Sequence, residues 1–167
     1  MNELRPYPLD EPDRNYRAVS GAENVRQGYA KYLEDESRLA ADAVEAIDFP
    51  TNPRQVATAL LDALRAGGRV AVSGGRTGIT GAAVPIGAER IISLELLKST
   101  PLVRKLDDGQ WAVHVGAGLT LQELGDALAH GLCEYPDGKP EQALFYPVDT
   151  TETTAQLGGT IATNASG

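Results

Sequence analysis

Residues 73–81, Ser-Gly-Gly-Arg-Thr-Gly-Ile-Thr-Gly, could do chemistry through backbone geometry alone. Four glycines, Gly74, Gly75, Gly78 and Gly81, fall within the eight residues 74–81. Glycine permits positive φ and removes Cβ atoms, so successive N–H groups can converge on an anion. Ser73, Thr77 and Thr80 add hydroxyl donors, and Arg76 adds a cation. The implied chemistry is capture of a phosphate. No Gly-Lys-Ser/Thr closes the loop, so it is not a Walker loop, and this argues against ATP. After Gly81 come Ala82-Ala83-Val84-Pro85 and a strand pattern, not the helix a Rossmann fingerprint requires. Taken alone, a phosphate loop and a plain strand connection are equal readings of these residues.

Two further segments carry glycine in telling places. Val115-Gly116-Ala117-Gly118 leads into a helix starting at Thr120. Such a turn could aim a helix N-terminus at a phosphate, but a tight strand-to-helix connection is the preferred reading. The segment Tyr146-Pro147-Val148-Asp149-Thr150-Thr151 precedes Gln156-Leu157-Gly158-Gly159-Thr160-Ile161-Ala162-Thr163-Asn164. Gly158 and Gly159 would let a flat ligand approach the main chain, while the threonines and Asn164 supply neutral hydrogen bonds. The competing reading is a low-complexity surface loop. Asp149 is read as an orienting group and not a base. His114 falls mid-strand and His130 at a helix C-terminus, where a cation is favourable, and both are read as structural. No catalytic residue can be named.

The elements that must position these segments follow from pattern. Residues 1–22 read as an irregular lead-in with Pro6, Pro8 and Pro12, and 24–41 as a helix with Val25, Tyr29, Tyr32, Leu33 and Leu39 near helical spacing. A strand over 43–49 precedes a helix capped by Asn52, with Pro53 at its first position and Gln55 completing a capping-box-like pattern. Val56, Leu60, Ala63 and Leu64 are its expected apolar face, and Gly67-Gly68 stops it. Residues 69–73 and 90–94 read as strands, so β-α-β order predicts a small parallel sheet. Residues 102–106 and 110–115 read as a hairpin turning at Asp108-Gly109. Thr120 and Glu123 form a capping box for a second helix, lined by Leu121, Leu124 and Leu128 and ended by Gly131.

Composition narrows the function classes. The 167 residues are 42% apolar and carry a formal net charge of −8, which argues against nucleic acid or an anionic membrane surface as partner. The single cysteine, Cys133, excludes an intrachain disulfide and a cysteine-built metal cluster, and no metal site is expected. No apolar run spans a bilayer, and the N-terminus lacks the regions of a signal peptide, so a cytoplasmic protein is expected.

In this order and at these distances, the three glycine-bearing segments resemble the FAD-binding domain of the vanillyl-alcohol oxidase superfamily, the PCMH-type FAD domain. The resemblance is greater to its glycolate oxidase and D-lactate dehydrogenase branch, and it runs from about residue 45 to the end. It implies an α+β fold: a small parallel βαβ subdomain over about 43–97, then the start of a second, mainly antiparallel α+β subdomain over about 98–167. Residues 1–42 form a lead-in and helix. It also implies that Gly74, Gly78 and Gly81, with Thr77 and Thr80, wrap the FAD pyrophosphate. Residues resembling Pro147 to Thr151, and Gly158-Gly159 after them, lie along the flavin and its ribityl chain. Thr163 and Asn164 begin the next flavin-facing strand. The full cofactor-binding set is Ser73 to Gly81, Pro147, Asp149, Thr150, Thr151, Gly158, Gly159, Thr163 and Asn164.

Ser73 stands where such proteins often have Arg, Arg76 where they have Gly, and Thr160 where Asn is frequent. No His lies near Arg76, so non-covalent FAD is expected. For Arg76 itself, a charge-assisted phosphate contact and a side chain in water stand as equal readings. Family members continue past Asn-Ala-Ser-Gly, so this chain is expected to be the N-terminal part of such a domain, with apolar surface exposed at its C-terminal edge. The resemblance implies a flavin-dependent oxidoreductase that oxidises a 2-hydroxy acid. Its small-molecule substrate would be held by a further C-terminal domain, with a second copy or a partner subunit as further partners. The alternatives are a reductase of the cell-wall precursor branch and a non-catalytic module that keeps the fold without FAD.

Overall fold

The computed structural model describes residues 11–147 and 151–165. Two compact units divide the chain, Met1–Leu96 and Leu97–Gly167. The first contains β1 (Arg17–Ser20), α1 (Ala22–Gly28), β2 (Ala46–Phe49), α2 (Pro53–Arg65), β3 (Val70–Ser73) and β4 (Arg90–Ser93). Its sheet has the order β1-β2-β4-β3. β2, β4 and β3 are parallel, and β1 closes the edge antiparallel to β2, with Arg17 opposite Phe49.

β1 lies inside the segment read as an irregular lead-in. Its four residues are mostly exposed, so no apolar alternation marks it. The expected helix over 24–41 is also shorter than its pattern suggested. α1 ends at Gly28, Tyr29 leaves helical space at φ −136°, and a single 3-10 turn follows over Ala30–Tyr32. Of the apolar residues at helical spacing, Val25, Tyr32 and Leu33 are buried with Val44, Ile47, Phe49 and Ile91, and Tyr29 packs on them. Leu39 is exposed. Three aromatic rings organise this core, with Tyr32 edge-on to Phe49 at 5.5 Å and 84°.

α2 begins as expected. Asn52 Oδ1 accepts from the Gln55 N–H at 3.0 Å, while Gln55 Oε1 accepts from the Thr51 N–H at 2.8 Å, one residue before a capping box would place it. Its buried face differs from the expected one. Gln55, Thr58, Ala59 and Ala63 are buried, whereas Leu60 and Leu64 are exposed. Polar bonds turn the helix this way. Gln55 Nε2 donates to Asp13 Oδ2 and to the Asn15 carbonyl, and Thr58 Oγ1 accepts from the Asp13 N–H. Within the sheet the buried Asp48 accepts at both oxygens, 2.8 and 2.7 Å, from Arg90 Nη1 on β4.

The second unit contains β5 (Leu102–Lys105), β6 (Trp111–His114), α3 (Leu121–Ala129) and α4 (Leu157–Ala162). β5 and β6 form the expected hairpin, with Gly109 in the turn at φ +85°. Thr120 Oγ1 accepts from the Glu123 N–H, and Glu123 accepts from the Thr120 N–H, completing the capping box. Leu119, Leu121, Leu124 and Leu157 are the buried core, joined by Val113, Val115 and Leu128. His114 is exposed on the opposite side of β6, and His130 caps α3, its Nδ1 2.9 Å from the Asp126 carbonyl. Phe145 and Ile161 are exposed. The α+β architecture, a parallel sheet followed by an antiparallel hairpin unit, is the one expected. Among the described residues no helix is long and apolar enough to cross a membrane.

Candidate functional site

The glycine-rich loop leaves the carboxyl end of β3, the end at which parallel sheets bind ligands. Ser73 is fully buried and lies in register beside Ser93 at the end of β4. Ser93 Oγ is buried with no hydrogen-bond partner among the described residues. Gly74, Gly75, Arg76, Thr77 and Gly81 are half-buried, and Gly78, Ile79 and Thr80 are exposed.

Main-chain hydrogen bonding sets this loop apart. Among the described residues, none of the N–H groups from Gly74 to Gly81 has a backbone carbonyl partner. Backbone donors that forgo protein acceptors need another partner, and a row of them in a half-buried loop suits a ligand rich in acceptor oxygens. A diphosphate is such a ligand, so these residues fit the group the loop was read to hold.

The glycines divide by role. Gly81 is required by the fold itself: its φ is +76°, and a Cβ there would lie 2.7 Å from Leu39 Cδ1. Gly78 has no such reason, since its φ is not positive and a Cβ would meet nothing within 4 Å. An absent side chain that the fold does not need leaves room for something outside the chain to approach.

The left-handed position near the loop's start belongs to Arg76, at φ +60°, not to a glycine. That conformation costs about 1–2 kcal/mol for a residue with a Cβ. Arg76 folds back onto its own loop and the core instead of trailing into water, so the reading of a solvated side chain is corrected. Its guanidinium stacks over the Tyr32 ring at 4.3 Å, and Nη1 donates to the Gly74 carbonyl at 2.9 Å and Ser73 Oγ at 3.3 Å. Tyr32 is buried, and burial together with a hydrogen bond to Glu95 raises its phenol pKa. Glu95 also pairs with Arg17 at 3.7 Å, and Arg17 lies 3.8 Å from the Phe49 ring centroid. Sequence reasoning had placed Tyr32 on the apolar spacing of a helix and missed its contact with the loop. A left-handed arginine inside the glycine-rich loop was the feature to follow, and it is visible only once φ is known.

The 116–118 turn is confirmed as a packing device. A Cβ on Gly116 would sit 2.2 Å from the Leu97 carbonyl oxygen, and the Gly118 N–H donates to that oxygen at 2.9 Å. The first amides of α3 are also occupied: Leu121 and Gln122 donate to the Ala155 and Thr153 carbonyls, and Glu123 to Thr120 Oγ1. This helix start has no N–H to offer a phosphate.

The Gly158-Gly159 pair is asymmetric. Gly158 donates its N–H to the Ala117 carbonyl at 2.9 Å, and a Cβ there would lie 2.7 Å from Ala117 Cβ. Gly159 is exposed, and a Cβ there would meet nothing within 4 Å. Only the second glycine is open to a ligand. Thr163 and Asn164 do not begin a strand. They close α4 by a Schellman pattern, with Asn164 at φ +50°, its N–H donating to the Ile161 carbonyl and the Ala165 N–H to Thr160. The Thr163 hydroxyl donates to the Gly159 carbonyl. Pro147 and Thr151 are exposed, and Asp149 and Thr150 lie outside the described residues.

Comparison with known proteins places these features in a family. A family described as an FAD binding domain matches residues 44–167. The D-2-hydroxyglutarate dehydrogenase of Xanthomonas citri pv. viticola is 33% identical over 137 residues, 81% of this chain and 26% of that protein. The D-lactate dehydrogenase of Archaeoglobus fulgidus is 35% identical over 119 residues, 71% of this chain and 23% of that protein. In fold, the chain is similar to the cholesterol oxidase of B. sterolicum, with TM-score 0.67 and 19% identity over 97% of this chain and 27% of that one. The chain spans about a quarter of the length of the curated relatives it matches.

Proposed function

The chain belongs to the FAD binding domain family, and from that premise we propose that the protein carrying it is a flavin-dependent oxidoreductase oxidising a 2-hydroxy acid to the 2-oxo acid. The observation that carries the cofactor reading is the run of N–H groups at residues 74–81 without backbone partners among the described residues. Those amides would hold the diphosphate of FAD, with the Thr77 and Thr80 hydroxyls beside them and Gly78 admitting close approach. Gly159 would offer the second open main-chain approach, and Pro147, Asp149, Thr150, Thr151, Thr163 and Asn164 would complete the flavin side.

When bound, FAD supplies the acceptor for the hydride that leaves the substrate's carbinol carbon. This chain's share is binding and orientation. The loop 73–81 contains no His, Cys or Tyr, so it offers no nucleophile for a covalent flavin bond, and attachment is read as non-covalent. Support for the substrate class comes from the two dehydrogenase relatives, whose names specify D-2-hydroxyglutarate and D-lactate, both 2-hydroxy acids. The groups that bind substrate and take its hydroxyl proton are assigned to a further domain, and the site of action to the cytoplasm.

The test is an anaerobic titration of the purified full-length protein. FAD should bind with quenched fluorescence and a shifted visible band, and D-lactate or D-2-hydroxyglutarate should bleach that band. Failure to bind FAD would favour a module without catalysis. Bound FAD that no 2-hydroxy acid bleaches would remove the substrate class.

A further inference from the structure

We propose that Tyr32 and Arg76 form a clamp that presets the glycine-rich loop for the cofactor diphosphate, making both positioning residues. The inference rests on the reading of that loop as a diphosphate cradle and adds how the cradle is held open. Arg76 spends its guanidinium behind the loop: one face lies on the Tyr32 ring, and Nη1 reaches the Gly74 carbonyl and Ser73 Oγ. The peptide unit is planar and trans, so the Gly74 carbonyl and the Gly75 N–H point in opposite directions. Pinning that carbonyl toward Arg76 therefore turns the Gly75 N–H the other way, where no backbone carbonyl among the described residues meets it.

Tyr32 is a fixed platform. It is 1% exposed, its ring meets Phe49 edge-on at 5.5 Å, and Ser73 at the foot of the loop is fully buried. A residue with a Cβ is tolerated at φ +60° only where its surroundings over-determine it, and here the stacking and two hydrogen bonds do so. A planar guanidinium can stack and donate at the same time, which an ammonium cannot.

The experiment compares Arg76→Gly, Arg76→Lys, Tyr32→Leu and the double variant Tyr32→Leu/Arg76→Gly in the full-length protein. Glycine adopts the required φ without strain, so Arg76→Gly removes the clamp and spares the backbone. FAD dissociation constants are measured at several salt concentrations, together with melting temperatures without FAD and amide exchange over residues 74–81. Arg76→Gly should weaken FAD binding at least about tenfold, the loss of one charge-assisted amide bond. Its melting temperature should stay near that of the unaltered protein, exchange at 74–81 in the presence of FAD should speed up, and Arg76→Lys should not rescue affinity. Tyr32→Leu should weaken binding too, and the double variant should be no weaker than the worse single one.

Unchanged affinity in Arg76→Gly would overturn the clamp. So would additive losses, or a shallower salt dependence in Arg76→Gly, which would place the arginine on the phosphate itself. If the unaltered protein binds no FAD, the cradle reading falls first and the clamp falls with it.

Discussion

Gly78 and Gly116 occupy similar sequence contexts, yet the structure predicts opposite consequences for adding one methyl group. At Gly116 the new Cβ would lie 2.2 Å from the Leu97 carbonyl oxygen and 2.9 Å from Lys98 Cα, both backbone atoms that cannot swing aside. Forced overpacking costs about 1–3 kcal/mol, and rigid neighbours put Gly116→Ala near about 3 kcal/mol. For a chain of 167 residues each kcal/mol moves the melting temperature by about 2–4 °C, so Gly116→Ala should melt about 6–12 °C lower. At Gly78 the Cβ enters open space at an ordinary φ. Restricting the unfolded chain there should stabilise by about 0.4–1 kcal/mol, raising the melting temperature by about 1–4 °C. The cost falls on binding instead. A methyl between the amides and a diphosphate would remove at least one hydrogen bond to a charged oxygen, about 1.5–3 kcal/mol, or about 10- to 100-fold in FAD affinity. Gly78→Val should lose more. Differential scanning calorimetry and FAD fluorescence titration on the two alanine variants read both effects. Full affinity in Gly78→Ala would show that nothing approaches the loop there. A melting loss matching that of Gly116→Ala would show that Gly78 is packed after all.

Two further outcomes concern charge. Arg90→Met should leave the Asp48 carboxylate buried without its counter-charge. Such losses run to about 3–5 kcal/mol, discounted to about 2–3 kcal/mol because the Arg90 side chain is itself 37% exposed; urea unfolding measures it, and Asp48→Leu in the same chain should restore much of it. Glu123 is pushed up by burial but pulled further down by Lys98 and Thr120, leaving its folded pKa below the ordinary 4.5. Its stabilisation is therefore complete above pH 4.5 and is lost as pH falls through the lowered folded value. Glu123→Gln keeps the capping-box geometry and should flatten the acid limb of the melting-temperature profile, and an unchanged limb would refute the assignment.

Local signals were legible where the backbone itself dictates residue type. Asn52-Pro53, the Thr120/Glu123 box and Asp108-Gly109 fixed helix starts and a turn correctly, because capping and left-handed turns admit few side chains. Faces were less legible. Leu60 and Leu64 look like the inner side of α2, but Gln55 and Thr58 bond to the chain before β1, and that long-range pairing decides the rotation. β1 was invisible because a four-residue, mostly exposed edge strand carries no alternation. At the candidate site, glycine content marked the loop but could not tell Gly81 and Gly158, consumed by internal packing, from Gly78 and Gly159, which face open space. Arg76 was misread for a related reason, since its ring partner lies 44 residues earlier in the chain.

The antiparallel strand β1 has a protective consequence. Without it, β2 would be the outer strand, presenting unpaired amides and carbonyls beside the bulky side chains of Ile47 and Phe49. Such a rim is a template for pairing with another chain. An expressed piece begun at Val44 would lack that guard and the rings of Tyr29 and Tyr32 as well, and should self-associate more strongly than the longer chain.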